Sequence, residues 1–241
     1  IFTPAQAVHA GSAFGYSSAT MRAALSRLKE REKLRNLGRG IYGLPEKPMI
    51  EWSFNRSWRD YVEEIIQWSG HWVLASWSNN AKLSRSESLS KEDLLHRYGF
   101  RKWRPQLFIR PDNITGGLPA MRQRIATWSA ADQFEFSEMR QVEMKLETHL
   151  MSHWNDSVQN HDNIVSLLND SLLKTRGEIT GETVAEVLSV GRCAVKSVLK
   201  NPRLPEPYGN HANLRELSTT LATYEVHGLE LWTQYLEKCL E

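Results

Sequence analysis

Cysteine is nearly absent: the 241 residues include two, Cys193 and Cys239. Two thiols that far along the chain cannot supply the cross-links by which small secreted domains compensate for a thin core, so a reducing, cytoplasmic setting is expected. No run approaches the roughly 18 apolar residues of a membrane-spanning helix, and Ile1 to Ala10 has neither the basic start nor the apolar stretch of a signal peptide. A soluble chain without a membrane partner is expected. Charge of one sign is scarce too, since 30 Lys and Arg against 28 Asp and Glu leave a surplus of only +2. Catalytic signatures are missing: there is no His-Glu-x-x-His, no paired-cysteine zinc site and no Gly-x-Ser-x-Gly elbow. The turn Asp112 to Gly117 lacks the Gly-Lys-Ser/Thr ending of a phosphate loop. Cys193, beside Arg192, reads as a buried structural thiol rather than a reactive one. The expectation is a non-enzyme with no metal and no cofactor.

What charge there is lies at one end. Residues 1–50 hold eight Lys or Arg against three acids, a local net of +5, while the rest carry 22 basic and 25 acidic side chains, a net of −3. A positive end on an otherwise acidic chain is suited to meet a polyanion while the remainder stays soluble.

Ser17 to Arg31 predicts a helix. A Ser17 or Ser18 hydroxyl can cap a first-turn N–H, and Met21, Leu25 and Leu28, with Ala24 beside them, recur on one packing stripe. The opposite face is slim: Ala19, Ala23 and Ser26 are small, and Arg22 and Arg27 flank them. Such a face can enter a major groove, with its arms reaching base edges or phosphates. Ser18, Ala19, Thr20, Arg22, Ala23, Ser26, Arg27 and Lys29 are therefore the candidate DNA-contacting residues on the helix. Thr3 to Ala10, with Thr3 as cap and Pro4 in the permitted first turn, predicts the preceding helix, and Gly11 to Tyr16 the turn between them. Leu34 to Leu44 predicts a hairpin reversing at Gly38-Arg39-Gly40, where glycine tolerates positive φ; Arg39 at its tip would touch phosphate or the minor groove. Pro45 would end the strand and Pro48 would lie in an exit linker. The whole arrangement reads as a winged helix-turn-helix.

Further along, Trp58 to Trp68 predicts a linker helix with an aromatic stripe at Trp58, Tyr61, Ile65 and Trp68. His71 to Trp77, Ser86 to Tyr98 and Lys102 to Arg110 read as strand, helix and strand, followed by a helix at Leu118 to Ala126 and a strand near Phe134 to Phe136. From Glu138 onward the pattern is helical: Met139 to Trp154, Asn160 to Lys174, Thr180 to Leu199 and Leu214 to Cys239, with the proline-rich Asn201 to Gly209 as a rigid connection.

The stretch Phe14 to Leu28, then Gly38-Arg39-Gly40-Ile41-Tyr42-Gly43-Leu44, Trp68-Ser69-Gly70-His71-Trp72-Val73-Leu74, Tyr98-Gly99-Phe100, Gln106 to Pro111 and Asn201-Pro202-Arg203-Leu204-Pro205 follow one another along the chain. In that order they resemble the landmarks of the PaaX-type phenylacetic acid degradation repressors. The resemblance implies an α+β multidomain chain: an N-terminal winged helix (residues 1–50), a linker helix and ferredoxin-like, Cas2-like middle domain (51–137) and a helical C-terminal domain (138–241). It further implies a homodimeric repressor on a palindromic double-stranded DNA operator, released by a small-molecule inducer of the acyl-coenzyme A thioester class. Two departures stand out: the segment Leu83 to Lys91 is mixed and Ser-rich where the family carries several arginines, and Asn201 stands where the family has Asp. Trp103, Arg104, Arg110, Arg192 and Lys196 are the candidate ligand-binding set, placed by expectation between the middle and helical domains. The Cas2-like implication leaves a nucleic-acid processing or architectural protein as the alternative.

Overall fold

The computed structural model describes residues 1–43, 58–77, 85–126, 134–140, 143–152, 154 and 161–238. The expected strand end at Pro45, the exit linker at Pro48 and the boundary at residue 50 lie outside them. The architecture is mixed α+β and divides into two compact units, Ile1–Asn55 with Asn163–Val195 and Thr219–Glu241, and Arg56–Asp162 with Lys196–Ser218. Each unit is thus assembled from separated stretches, where the sequence suggests three consecutive domains. Among the described residues no helix is long and apolar enough to cross a membrane.

The first unit opens with α1 (Pro4–Ser12) and α2 (Ser18–Glu30), followed by β1 (Arg35–Gly38) and β2 (Ile41–Gly43), which pair antiparallel. The α1 start is a capping box: the Thr3 side chain accepts from the Gln6 N–H, the Gln6 side chain accepts from the Thr3 N–H, and Pro4 fills the first turn. Most of α7 (Asp162–Lys174), α8 (Gly181–Lys200) and α9 (His211–Glu237) completes this unit. Val165, Leu168, Val184, Val187, Leu221, Tyr224 and Leu231 recur at helical spacing and are buried. Two buried polar side chains among them are paired: Ser171 Oγ lies 2.8 Å from the Tyr224 hydroxyl, and Thr175 Oγ1 lies 2.8 Å from His227 Nε2. Cys193 on α8 is exposed, which corrects the buried thiol expected from sequence; its neighbour Ala194 takes the inward position of that turn.

The second unit holds α3 (Trp58–Glu63), β3 (Trp72–Ser76), α4 (Arg85–Arg97), β4 (Arg101–Arg104), β5 (Leu107–Pro111), α5 (Gly117–Ala126), β6 (Glu135–Met139) and α6 (Met144–Ser152). The strands form one sheet in the order β4-β5-β3-β6 with every neighbouring pair antiparallel. Central β3 reads as an unbroken apolar run because both its faces are covered. Val73 and Ala75 join Phe108, Leu94, Leu95, Met121 and Ile125 in one core. Trp72 and Ile109 join Leu150, Trp154, Leu204 and Tyr208 in another. The helix expected over Trp58 to Trp68 stops at Glu63, because Ile65 leaves it to bridge Ile114 and the Ile66 N–H donates to the Asn113 carbonyl. Likewise α6 begins later than the helix expected from Met139, since that residue ends β6 opposite Trp72.

The Asn201 to Asn210 connection carries a polar network. The Arg203 N–H donates to Asn201 Oδ1 at 2.7 Å, which fixes that amide so that its Nδ2 faces His161 Nε2 at 2.9 Å. His161 Nε2 therefore accepts, and Nδ1 carries the proton toward Ser197 Oγ, 3.1 Å away. Burial lowers the His161 pKa from its ordinary 6.5, against the pull of Asp162. Because the folded value is the lower one, the unfolded chain binds the proton first. This stabilisation is complete above about pH 6.5 and lost as pH falls through the folded value. The urea midpoint should therefore drop between about pH 7.5 and about pH 5.5. His96 is also lowered, chiefly by burial, and contributes with the same sign. A flatter profile in His161→Gln than in the parent assigns the difference to His161; identical profiles would remove it.

Candidate nucleic-acid interface

Three local devices build the basic end of the chain. The first is the α1–α2 turn, where Gly15 takes φ 75° and the Tyr16 N–H returns to the Gly11 carbonyl. Gly11 is buried against Met21, and a Cβ there would run into that side chain, so the two helices cross closely only because position 11 has none. The second is the α2 cap: Ser17 Oγ accepts from the Thr20 N–H at 3.1 Å and lies 2.9 Å from the Thr20 hydroxyl. The third is the hairpin. Asn36 Oδ1 accepts from the Gly38 N–H at 3.1 Å, Gly40 turns the chain at φ 71°, and Phe2 pairs with Tyr42 through two 2.9 Å backbone bonds. Arg39 sits at the reversal.

All nine expected contact residues, Ser18, Ala19, Thr20, Arg22, Ala23, Ser26, Arg27, Lys29 and Arg39, are exposed. The expected packing stripe is only partly used: Leu25 is buried and Met21 half-buried, but Leu28 stays exposed. Arg22, Arg27, Lys29 and Arg39 form no ion pair or hydrogen bond with the described residues. Four cations without acids to neutralise them present a local positive field to solvent.

The five candidate ligand residues are not gathered in this way. Trp103 is half-buried on β4, with the Arg104 guanidinium 4.9 Å from its ring centroid. Arg192 and Lys196 are exposed on α8, the first in one unit and the second in the other. Arg110 is fully buried, which corrects its expected place on a ligand surface. Its Nε donates to the Pro111 carbonyl, Nη1 to the Tyr98 carbonyl and Nη2 to Asn113 Oδ1. Burial first, then neighbouring Arg203, lowers its pKa to about 9, which leaves it charged at neutral pH. Arg110 is a tie inside the second unit.

No family model matches the sequence, and no curated protein matches it. Among solved structures, the chain is similar to the uncharacterized protein Rv0674 from Mycobacterium tuberculosis. The TM-score is 0.65 at 16% identity, covering 97% of this chain and 91% of that one. The likeness is one of fold.

Two features escape sequence reasoning. One is a cleft of about 770 Å³ in the first unit between α1, α2 and β2, whose wall includes Arg22, Ser26, His9 and Tyr42. The other is a charge cluster in the second unit, built around the buried Arg203 with Glu64 and Arg124 partly exposed. Glu64 Oε2 lies 2.7 Å from Arg203 Nη1 and Glu64 Oε1 lies 2.9 Å from Arg124 Nη2, while the Arg203 guanidinium stacks 3.6 Å over Tyr61. Neither leaves a signal in the sequence, because each joins residues from separated segments. Among the described residues there is no group of His, Cys, Asp or Glu able to hold a metal ion.

Proposed function

We propose that this chain is a sequence-specific DNA-binding transcription regulator whose first 43 described residues act as a winged helix-turn-helix. The observation that carries the reading is the exposed, unpaired state of Arg22 and Arg27 on a helix whose outward positions Ala19, Ala23 and Ser26 are small. α2 enters the major groove, its small side chains admit the duplex, and the two guanidiniums reach base edges. Arg39 grips phosphate from the hairpin tip. One α2 reads only a few base pairs, so two copies on an inverted repeat supply the length and fix the spacing. The β-α-β-β-α-β order of the second unit supports a ferredoxin-like middle domain as the resemblance implies. Release by an acyl-coenzyme A type effector is part of the same reading, with the chain as a repressor.

Enrichment of genomic fragments by the purified protein, followed by anisotropy titration at several salt concentrations, tests it. A recovered common inverted repeat bound far more tightly than bulk DNA is the expected result; retention of fragments without a shared sequence rejects sequence-specific regulation. Arg39→Ala should weaken binding to every sequence alike and reduce the slope of log K against log salt by about 0.9. A change confined to one base pair would mean that Arg39 reads sequence instead.

A further inference from the structure

The cleft between α1, α2 and β2 has the chemistry of a small-molecule site. Its body is apolar, formed by Pro4, Ala5, Val8 and Leu25 with Tyr42 at one side, and no acidic residue among the described ones lines it. Into this wall come two exposed polar groups without partners among the described residues, the Arg22 guanidinium and, one turn along α2, the Ser26 hydroxyl. His9 also lines the wall, its ring held 4.2 Å from Tyr235 in a stacked pair with Nε2 turned away from the opening. An apolar concavity of several hundred Å³ with a few convergent polar groups is the usual make-up of a ligand pocket.

The chemistry selects the ligand. Arg22 offers a planar fork of donors with no carboxylate paired to it among the described residues, which matches a carboxylate in bidentate fashion. Ser26, one turn further along α2, adds a donor on the same side, and the aliphatic wall accepts an apolar body. We infer that the cleft binds a small carboxylate with an apolar tail, and that this ligand and DNA compete for the Arg22 guanidinium. The competition rests on the DNA-binding reading given above; the binding of the carboxylate does not. Because one side chain serves both ligands, release needs no signal carried through the protein. Strict competition lowers the apparent DNA affinity by a factor of 1 + [L]/Kd, about elevenfold at ten times the ligand Kd, and the effect grows with ligand without a plateau. A coupling between two separate sites would instead level off once the ligand site is full.

Saturation-transfer NMR on the whole protein without DNA, with hexanoate and benzoate as probes and hexanol and benzyl alcohol as neutral counterparts, measures the cleft directly. Saturable binding of a carboxylate, at least about tenfold tighter than its alcohol, is expected from the charged hydrogen bonds. Ala5→Phe, at an exposed wall position outside the DNA-contacting set, should abolish carboxylate binding while leaving DNA affinity within about twofold. Arg22→Gln should lose the carboxylate and weaken DNA binding. No saturable binding of either carboxylate, or binding untouched by Ala5→Phe, overturns the site. Carboxylate binding that leaves DNA anisotropy unchanged overturns the competition. Failure to bind any DNA fragment rejects the regulator reading and the competition together, while the NMR result still decides the site.

Discussion

Glu64→Gln should destabilise the second unit by at least about 2 kcal/mol, toward the ~3–5 kcal/mol range for removing one partner of a buried ion pair, because Arg203 is buried while Glu64 itself is partly exposed. One carboxylate at the end of α3 serves two guanidiniums, Arg203 from the α8–α9 connection and Arg124 from α5. Arg203 is 1% exposed and its Nε already has no partner among the described residues, so it has no water to fall back on when the charge opposite is neutralised. Its carbonyl also accepts from Asn113 Nδ2, whose own Oδ1 accepts from Arg110. Loss of Glu64 is thus felt at three cations rather than one. Urea unfolding followed by tryptophan fluorescence would show the shift. Glu92→Gln, which breaks the exposed 3.0 Å pair with Lys102, is the comparison and should cost less than about 1 kcal/mol. Equal losses in the two variants would contradict the structural weight given to the Glu64 cluster.

The second large effect concerns DNA. Arg22→Ala and Arg27→Ala should each lower affinity for the selected site by about 1–3 kcal/mol, roughly five- to 150-fold, if each guanidinium makes a bidentate base contact. Discrimination should relax at one base pair per variant. Lys29→Ala, by contrast, removes a point charge at the far end of α2 and should weaken all sequences by a similar, smaller factor. Both residues replaced are exposed and unpaired, so loss of folding does not confuse the result. Unchanged affinity in both arginine variants would remove α2 from the role of reading helix.

The elements legible in the sequence are those whose cause is local. The Thr3 cap and Pro4, the Ser17 cap, and the Gly40 reversal each act within a few residues, and α1, α2 and the hairpin appear where they were expected. The apolar run at Trp72 to Ser76 marked a strand for the same reason. What escaped depends on distant partners. α3 ends early because Ile65 meets Ile114, and Arg110 turns inward because Tyr98 and Asn113 offer it oxygens there. The Asn201 to Pro205 stretch was visible as a motif, but not that Arg203, at φ 54°, delivers its side chain to Glu64. At the candidate interface the outward residues were readable from helical spacing. The cleft was not, because α1, α2 and β2 contribute to it from three separate positions along the chain.

The first unit draws its parts from widely separated stretches of the chain. His9 stacks on Tyr235 and Phe14 on Trp232, and Gly181 lies close against Ala13. On a ribosome, the leading helices therefore emerge long before the segments that will shield them, and closing so large a loop is entropically slow. A nascent chain must hold those apolar faces uncovered until α9 has emerged, and in that interval aggregation competes with folding.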